Sequence, residues 1–274
     1  MTAMPRDRDF KKIVRRCMSR SPSGDWSRRE GRTAAASVTL APAVLSDAWE
    51  AEAEQWVTWA RKPGHDSYWT FHRDAFLTIL PRPGRLTLDV GCGEGRLGRD
   101  LTRLGHRVIG VDRSTTLAQY AAAAGGTIGT VLADGAHLPF RDEAVDLAIA
   151  FMSLQDMDDM PRCVQELARV LEPGGRLCLA ITHPLNSART IGASGQGDSW
   201  VIDAGAYWTT RRLTDTEERD GLCMTFHAQH RPMEAYFEAL DGAGLLTETI
   251  REPRGTGAIS SYFPFFLHIR ARRP

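Results

Sequence analysis

Hydrophobic and polar positions change period several times along the chain. From Ser46 a helical period begins, with Trp49, Trp56 and Trp59 at i, i+7 and i+10 on one face of a helix that Ser46 can cap. "KPGHD" breaks it, and "SYWTFHRDAFLTIL" starts a second amphipathic helix that stops at "PRPG". Beyond Pro83 short apolar runs alternate with helical patterns. "RLTLDV", "HRVIGVD", "GTVLAD", "AVDLAIAF" and "RLCLAIT" read as strands, and "RLGRDLTRL", "TTLAQYAAAA" and "DMPRCVQELARVL" as helices among them. Nearly continuous apolar strands separated by helices call for a parallel sheet covered on both faces. After His183 the rhythm lapses for about 45 residues, a gap long enough to suggest a functional insertion. It resumes with the helix "PMEAYFEALDGAG" and the strands "LLTETIRE" and "FFLHIRAR". The expected fold is therefore α/β, with seven strands and the last entering as an antiparallel partner.

This pattern divides the chain into a single domain over 45–274 and a basic arm over 1–44. Within the domain, 45–83 form an N-terminal helical lid and 184–230 a substrate-side insertion. The arm is rich in Arg, Ser, Ala and Pro; it is either a flexible tail or precedes a native start near Val38. Residues 1–32 hold ten Lys or Arg against four Asp or Glu, although the whole chain balances at 34 of each. That balance supplies no global case for nucleic acid or an anionic membrane. No secretory signal and no apolar run of about 18 residues is visible, so a cytoplasmic protein is expected. The five cysteines form no C-x-x-C, and no His pair has metal-ligand spacing, so reduced thiols and no bound metal are expected.

The candidate chemistry centres on "LDVGCGEGRLG". A pyrophosphate-binding turn would carry G-x-G-x-x-G, whereas here Gly91, Gly93 and Gly95 alternate and Glu94 sits inside the loop. With Asp89 just before it, the turn suits a ligand without phosphate. S-Adenosylmethionine meets that requirement: Asp89 can attract its ammonium group, while glycine backbone approaches its chain and ribose. Asp112 ends the second strand, where it can accept from the ribose hydroxyls, and Asp134 ends the third, where it can accept from the adenine amino group. Each carboxylate alone also suits a helix cap or a turn. Three in succession, with the glycine turn after the first strand, favour the cofactor.

The motifs "LDVGCGEGRLG", "VIGVDRS", "ADGAHLPF", "DLAIAFMSLQDM" and "RVLEPGGRLCLA" resemble those of class I S-adenosylmethionine-dependent methyltransferases. The likeness is greatest to the small bacterial ubiquinone-type and natural-product enzymes. It is strong over Tyr68 to His183 and weaker beyond, and it implies a Rossmann-like sheet. It further implies that Asp89, Gly91 and Gly93, with Cys92 between them, serve the methionine end of the cofactor. Asp112, with Arg113 beside it, would serve the ribose, and Asp134, Gly135 and Ala136 the adenine. Phe151, Met152 and Ser153 would lie beside the sulfonium, and Tyr68 is a further expected contact.

Methyl transfer from a sulfonium asks the protein chiefly to align the nucleophile and exclude water, with a base where a proton must leave. His183, at the end of the fifth strand, is the expected catalytic residue; otherwise it hydrogen-bonds backbone at a loop entrance. His227 and His230 either line the pocket or cap the next helix. Gln155, Asp156, Asp158 and Asp159 after the fourth strand could serve a metal, but Asp158 and Asp159 begin a helix, where capping and the dipole explain them. Trp200, Tyr207 and Trp208, with the N-terminal tryptophans, are expected to roof the pocket. The reading is transfer of a methyl group from S-adenosylmethionine to a small apolar or aromatic acceptor, oxygen favoured over nitrogen or carbon. The product cofactor would be S-adenosylhomocysteine, and the protein a monomer or homodimer. An NAD-dependent oxidoreductase and a non-catalytic cofactor-binding protein are the alternatives.

Overall fold

The computed structural model describes residues 44–191, 200–202, 204–255 and 263–274. The expected arm therefore lies outside the described residues apart from Val44. In chain order the strands are β1 (Thr87–Val90), β2 (Val108–Asp112), β3 (Gly129–Leu132), β4 (Val145–Phe151), β5 (Leu171–Thr182), β6 (Arg189–Ile191), β7 (Trp200–Ile202), β8 (Arg211–Arg219), β9 (Leu222–His230), β10 (Leu246–Arg251) and β11 (Phe266–Arg272). Seven of them form one sheet in the order β10-β11-β5-β4-β1-β2-β3. All neighbours pair parallel except at β11, which enters antiparallel between β10 and β5 as expected.

Two apolar layers cover the sheet. Alternation along β4 sends Leu147, Ile149 and Phe151 to one face, against Tyr68, Phe76, Leu97 and Leu101. It sends Ala148 and Ala150 to the other, against Val164, Leu167, Tyr236 and Leu240. The helices α4 (Arg96–Arg103) and α5 (Thr115–Ala124) follow β1 and β2; α6 (Met160–Val170) precedes β5 and α9 (Met233–Gly242) precedes β10. Ser114 caps α5 by accepting the Leu117 N–H, and Asp159 caps α6 by accepting the Arg162 N–H. The shorter helices α7 (Pro184–Ser187) and α8 (Ala204–Tyr207) belong to the segment after β5.

The N-terminal region departs in detail from expectation. The tryptophan-bearing segment is two helices, α1 (Leu45–Ala51) and α2 (Ala53–Arg61), and Val44 rather than Ser46 occupies the N-cap. The second amphipathic segment opens as a π-helical turn, Tyr68–His72, before helix α3 (Arg73–Leu77). Such turns are frequent at functional sites. Here it sends Tyr68 and His72 inward to contact Phe151.

The segment after β5, left without elements by the pattern alone, contains a long antiparallel hairpin, β8–β9, running from Arg211↔His230 to Arg219↔Leu222. Its turn is Asp220-Gly221, both at positive φ (51° and 74°), the requirement of a tight two-residue hairpin connection. The Asp-Gly pair between "RRLTDTEER" and "LCMTFHAQH" was a readable signal. The hairpin meets the N-terminal helices: the Trp49 indole N–H donates to the His227 carbonyl at 2.8 Å, and Trp56 and Trp59 both pack edge-on against Phe226.

Candidate active site

A cavity of about 1220 Å³ opens outside the carboxyl ends of the parallel strands. Single-ligand pockets run to about 1,000 Å³, so the space accommodates two small molecules side by side. Asp89, Gly91, Cys92, Gly93, Asp112, Arg113, Asp134, Gly135, Ala136, Phe151, Met152 and Ser153 all line it.

The glycine turn is shaped by close approach. Gly91 has φ +74°, and a Cβ there would lie 2.4 Å from the Cβ of Ser153, whose hydroxyl donates to the Val90 carbonyl at 2.8 Å. Gly93, at φ +55°, faces open space, where an added Cβ would meet only the Trp56 indole nitrogen at 3.5 Å. Asp112 holds the turn in place. Its carboxylate accepts the Gly93 N–H at 2.7 Å and the Ser114 N–H at 2.9 Å. The carboxylate of Asp134 accepts the Ala136 N–H at 2.9 Å and pairs with Arg113 at 3.0 Å.

Asp89 is buried, and its Oδ2 has no hydrogen-bond partner. Loss of hydration, with Asp112 nearby, pushes the Asp89 carboxyl up to about 7. Burial likewise raises Asp112 to about 6, against the N–H groups of Ser114, Gly93 and Arg113, which lower it.

The charge in the turn that argued against a pyrophosphate is compensated. Glu94 is buried, and both its oxygens meet Arg99 at 2.8 Å while Arg61 approaches one at 3.2 Å. Glu94 thus clamps the glycine turn to the N-terminal helices, and its repulsion of phosphate is weaker than the bare sequence suggests.

Two expected site residues are misplaced by the sequence reading. Tyr68 lies behind the cavity wall: its hydroxyl donates to Asp100 at 2.8 Å, and the Arg96 guanidinium covers its ring at 4.8 Å. His183 is buried off the cavity and occupies the N-cap of α7, where its Nδ1 accepts the Leu185 N–H at 3.1 Å and its Nε2 faces Glu252 at 3.2 Å. A ring whose Nδ1 caps a helix and whose Nε2 faces a carboxylate away from the cavity lining holds a loop entrance, so the structure does not support a catalytic role for it. His183→Ala is expected to cost about 0.5–2 kcal/mol of stability, the range for losing a cap, and to leave turnover per folded molecule unchanged. Thermal unfolding together with turnover of the purified variant checks this.

Other expectations divide. His227 lines the cavity. His230 is buried between the Ser187 hydroxyl (2.6 Å) and the Tyr207 carbonyl (2.8 Å). The expected roof is corrected too: Trp208 is 68% exposed, and Tyr207 turns its hydroxyl to the Met233 N–H. The side chain of Trp200 lies outside the described residues. The N-terminal tryptophans Trp49, Trp56 and Trp59 line the cavity as expected, joined by Phe226, and Phe71, Phe265 and Phe266 form a second aromatic wall. Asp158 accepts the Leu45 N–H and pairs with Arg212, tying helix Leu45–Ala51 and β8 to the loop after β4. Among the described residues no group of three or more His, Cys, Asp or Glu is placed to hold a metal ion. Nor does any described helix have the length and apolarity to cross a membrane.

Sequence reasoning missed Arg96, which lines the cavity under the Trp56 ring at 5.1 Å and pairs with Asp66. It also missed His72, Phe71, Phe265 and Phe266. All lie on segments whose contact with the cavity depends on distant parts of the chain.

Strand-end carboxylates and a glycine turn on an open parallel sheet define the α/β class that binds a ligand at the carboxyl edge of its strands. Residues 88–179 match the family described as a methyltransferase domain. A solved S-adenosylmethionine-dependent methyltransferase from Mesorhizobium loti superposes with a TM-score of 0.57 at 27% identity, covering 73% of this chain and 96% of that one. A demethylmenaquinone methyltransferase from Thermobifida fusca is 30% identical over 57% of this chain and 65% of its own length. For a nocamycin O-methyltransferase from Saccharothrix syringae the identity is 34%, over 61% of each chain. The matched part thus spans less than two thirds of these curated relatives. Residues 88–179 thus carry a methyltransferase domain, on the fold of a solved S-adenosylmethionine-dependent methyltransferase.

The residues present fit the cofactor of this class. Asp89 offers a buried, unpartnered anionic oxygen, and the surface above Gly93 is clear of side chains except Trp56. Of the arginines that follow the turn, Arg99 is committed to Glu94 and Arg96 to Asp66.

Proposed function

We propose that the protein transfers the methyl group of S-adenosylmethionine to a small apolar or aromatic acceptor, with oxygen the favoured nucleophile. The observation that carries this reading is the buried, unpartnered Asp89 Oδ2 beside an open glycine turn. An orphaned carboxylate oxygen is costly to bury, and a ligand ammonium group would offset that cost.

On this reading Asp89 attracts the ammonium group, and Gly91, Cys92 and Gly93 admit the methionine chain. Asp112 holds the turn through the Gly93 N–H and keeps lone pairs for ribose hydroxyls. Asp134, Gly135 and Ala136 border the adenine, and Arg113 fixes the Asp134 carboxylate. Phe151, Met152 and Ser153 border the methyl group. S-Adenosylmethionine, when bound, supplies a methyl group on a positively charged sulfur. The tryptophan roof and hairpin exclude water from the acceptor and hold it in line. The O-methyltransferase relatives support oxygen as acceptor atom.

Calorimetric titration tests the reading. S-Adenosylmethionine should bind and NAD should not; binding of NAD alone would refute it. Affinity should also depend on pH. Asp89 and Asp112 have folded pKa values above the ordinary carboxyl value, so the stability their protonated forms contribute is full below about pH 4 and is lost as pH rises through 6 and 7. An ammonium ligand selects ionised Asp89. Its binding should therefore release a proton and weaken about tenfold from pH 8 to pH 6, as calorimetry in buffers of different ionisation enthalpy would detect. A pH-independent affinity would remove Asp89 from the ammonium site.

A further inference from the structure

The cavity has two chemically distinct halves. Asp89, Asp112, Arg113 and Asp134 lie over β1, β2 and β3, whereas Phe71, His72, Phe151, Thr182, Phe265 and Phe266 lie over β4, β5 and β11. A cofactor bearing ammonium and ribose groups belongs in the first half, which leaves the aromatic half to the acceptor.

One polar group in that aromatic half has no part in the site described so far. His72 is 1% exposed, its ring packed 5.1 Å from Phe151 and 4.2 Å from Phe266. Its Nδ1 lies 2.9 Å from Nε2 of His268 on β11, and its Nε2 has no hydrogen-bond partner. A buried nitrogen without a partner, on the wall of a cavity, calls for a polar group in the ligand. The π-helical turn Tyr68–His72 sets this ring inward.

We infer that His72, oriented by His268, is the base that takes the proton from an acceptor hydroxyl, and that the acceptor is a hydroxylated aromatic ring held among Phe71, Phe151, Phe265 and Phe266. The inference rests on the methyltransferase reading above. In the step, the acceptor oxygen forms its bond to the methyl carbon as the carbon–sulfur bond breaks, and that electron pair stays on sulfur. The hydroxyl proton passes to His72 Nε2, while the His72 Nδ1–H donates to His268 Nε2. His72 later releases the proton to solvent. The positive charge thus moves from sulfur to the histidine pair, so the cavity carries the same net charge before and after transfer. Burial holds the His72 imidazole well below its usual range and His268 down to about 4, so both rings rest neutral. His268 acts only through His72 and is a positioning residue.

Histidine-selective nitrogen-15 NMR on the full chain loaded with S-adenosylhomocysteine reads the arrangement directly. His72 should carry its proton on Nδ1, and adding methylhydroquinone should shift its Nε2 resonance. A proton on Nε2, or no shift at saturating probe, would overturn the assignment whatever the variants do. With methylhydroquinone and related hydroxyarenes as acceptors, His72→Gln should lower kcat by about 10²–10⁴-fold, the usual contribution of a general base. KM and S-adenosylmethionine affinity should remain within about threefold. His268→Asn should lower kcat less than His72→Gln does. Wild-type kcat in His72→Gln overturns the base role. Failure of the wild-type protein to bind S-adenosylmethionine at all would instead sink the methyltransferase reading.

Discussion

Replacing Gly91 with alanine is expected to destabilise the protein by about 2–5 kcal/mol and to abolish measurable cofactor binding at micromolar concentrations. Two costs add. A side chain at φ +74° is strained by about 1–2 kcal/mol, and the new Cβ would stand 2.4 Å from that of Ser153, an overlap worth about 1–3 kcal/mol after relaxation. Ser153 cannot retreat freely, because its hydroxyl is bonded to the Val90 carbonyl inside the sheet. Relief must therefore come from the turn itself, moving Gly93 away from Asp112. Urea unfolding measures the first effect and calorimetric titration the second. Wild-type values in both would show that the turn is less constrained than its contacts imply. Gly93→Ala provides the contrast: its Cβ has room, so only the strain of a side chain at φ +55° counts against stability, and binding should suffer more.

Asp112→Ala should weaken S-adenosylmethionine binding by about 1.5–3 kcal/mol, the range for hydrogen bonds to a charged group. The same change should cost stability, because the buried N–H groups of Gly93 and Ser114 lose their acceptor. Asp112→Asn separates the roles. One amide oxygen can still accept from the backbone, so stability should recover in part while ribose recognition does not. Equal recovery of both would mean that Asp112 supports the turn without touching the ligand. Asp112 holds the turn, a role the sequence did not disclose, beside the ribose contact proposed for it.

The strands and the order of their terminal carboxylates were legible because both are local properties. An apolar run of strand length ends in a polar residue where the chain leaves the sheet, and parallel topology gathers those ends at one edge. That reasoning placed Asp89, Asp112 and Asp134 on one cavity wall. It failed for Tyr68 and His183, where the deciding partners are remote: Asp100 takes the phenol of one, and Glu252 faces the ring of the other. A tyrosine before the first strand and a histidine at the end of the fifth can each turn toward the ligand or away from it. Only the neighbours decide. The hairpin β8–β9 is a different case, because Asp220-Gly221 and the alternation around it are local signals.

The sequence by itself determined the fold class and the edge of the sheet where the cavity opens, because both follow from periodicity and turn geometry; the group transferred was implied by the resemblance of its motifs. The tertiary structure decided which charges remain free to act. Glu94 is neutralised by Arg61 and Arg99, while Asp89 keeps an unpartnered oxygen. It also decided the character of the aromatic half of the cavity, where residues as far apart as His72 and His268 meet at 2.9 Å. Desolvation and pairing depend on what folds against a residue, and no local pattern carries that information.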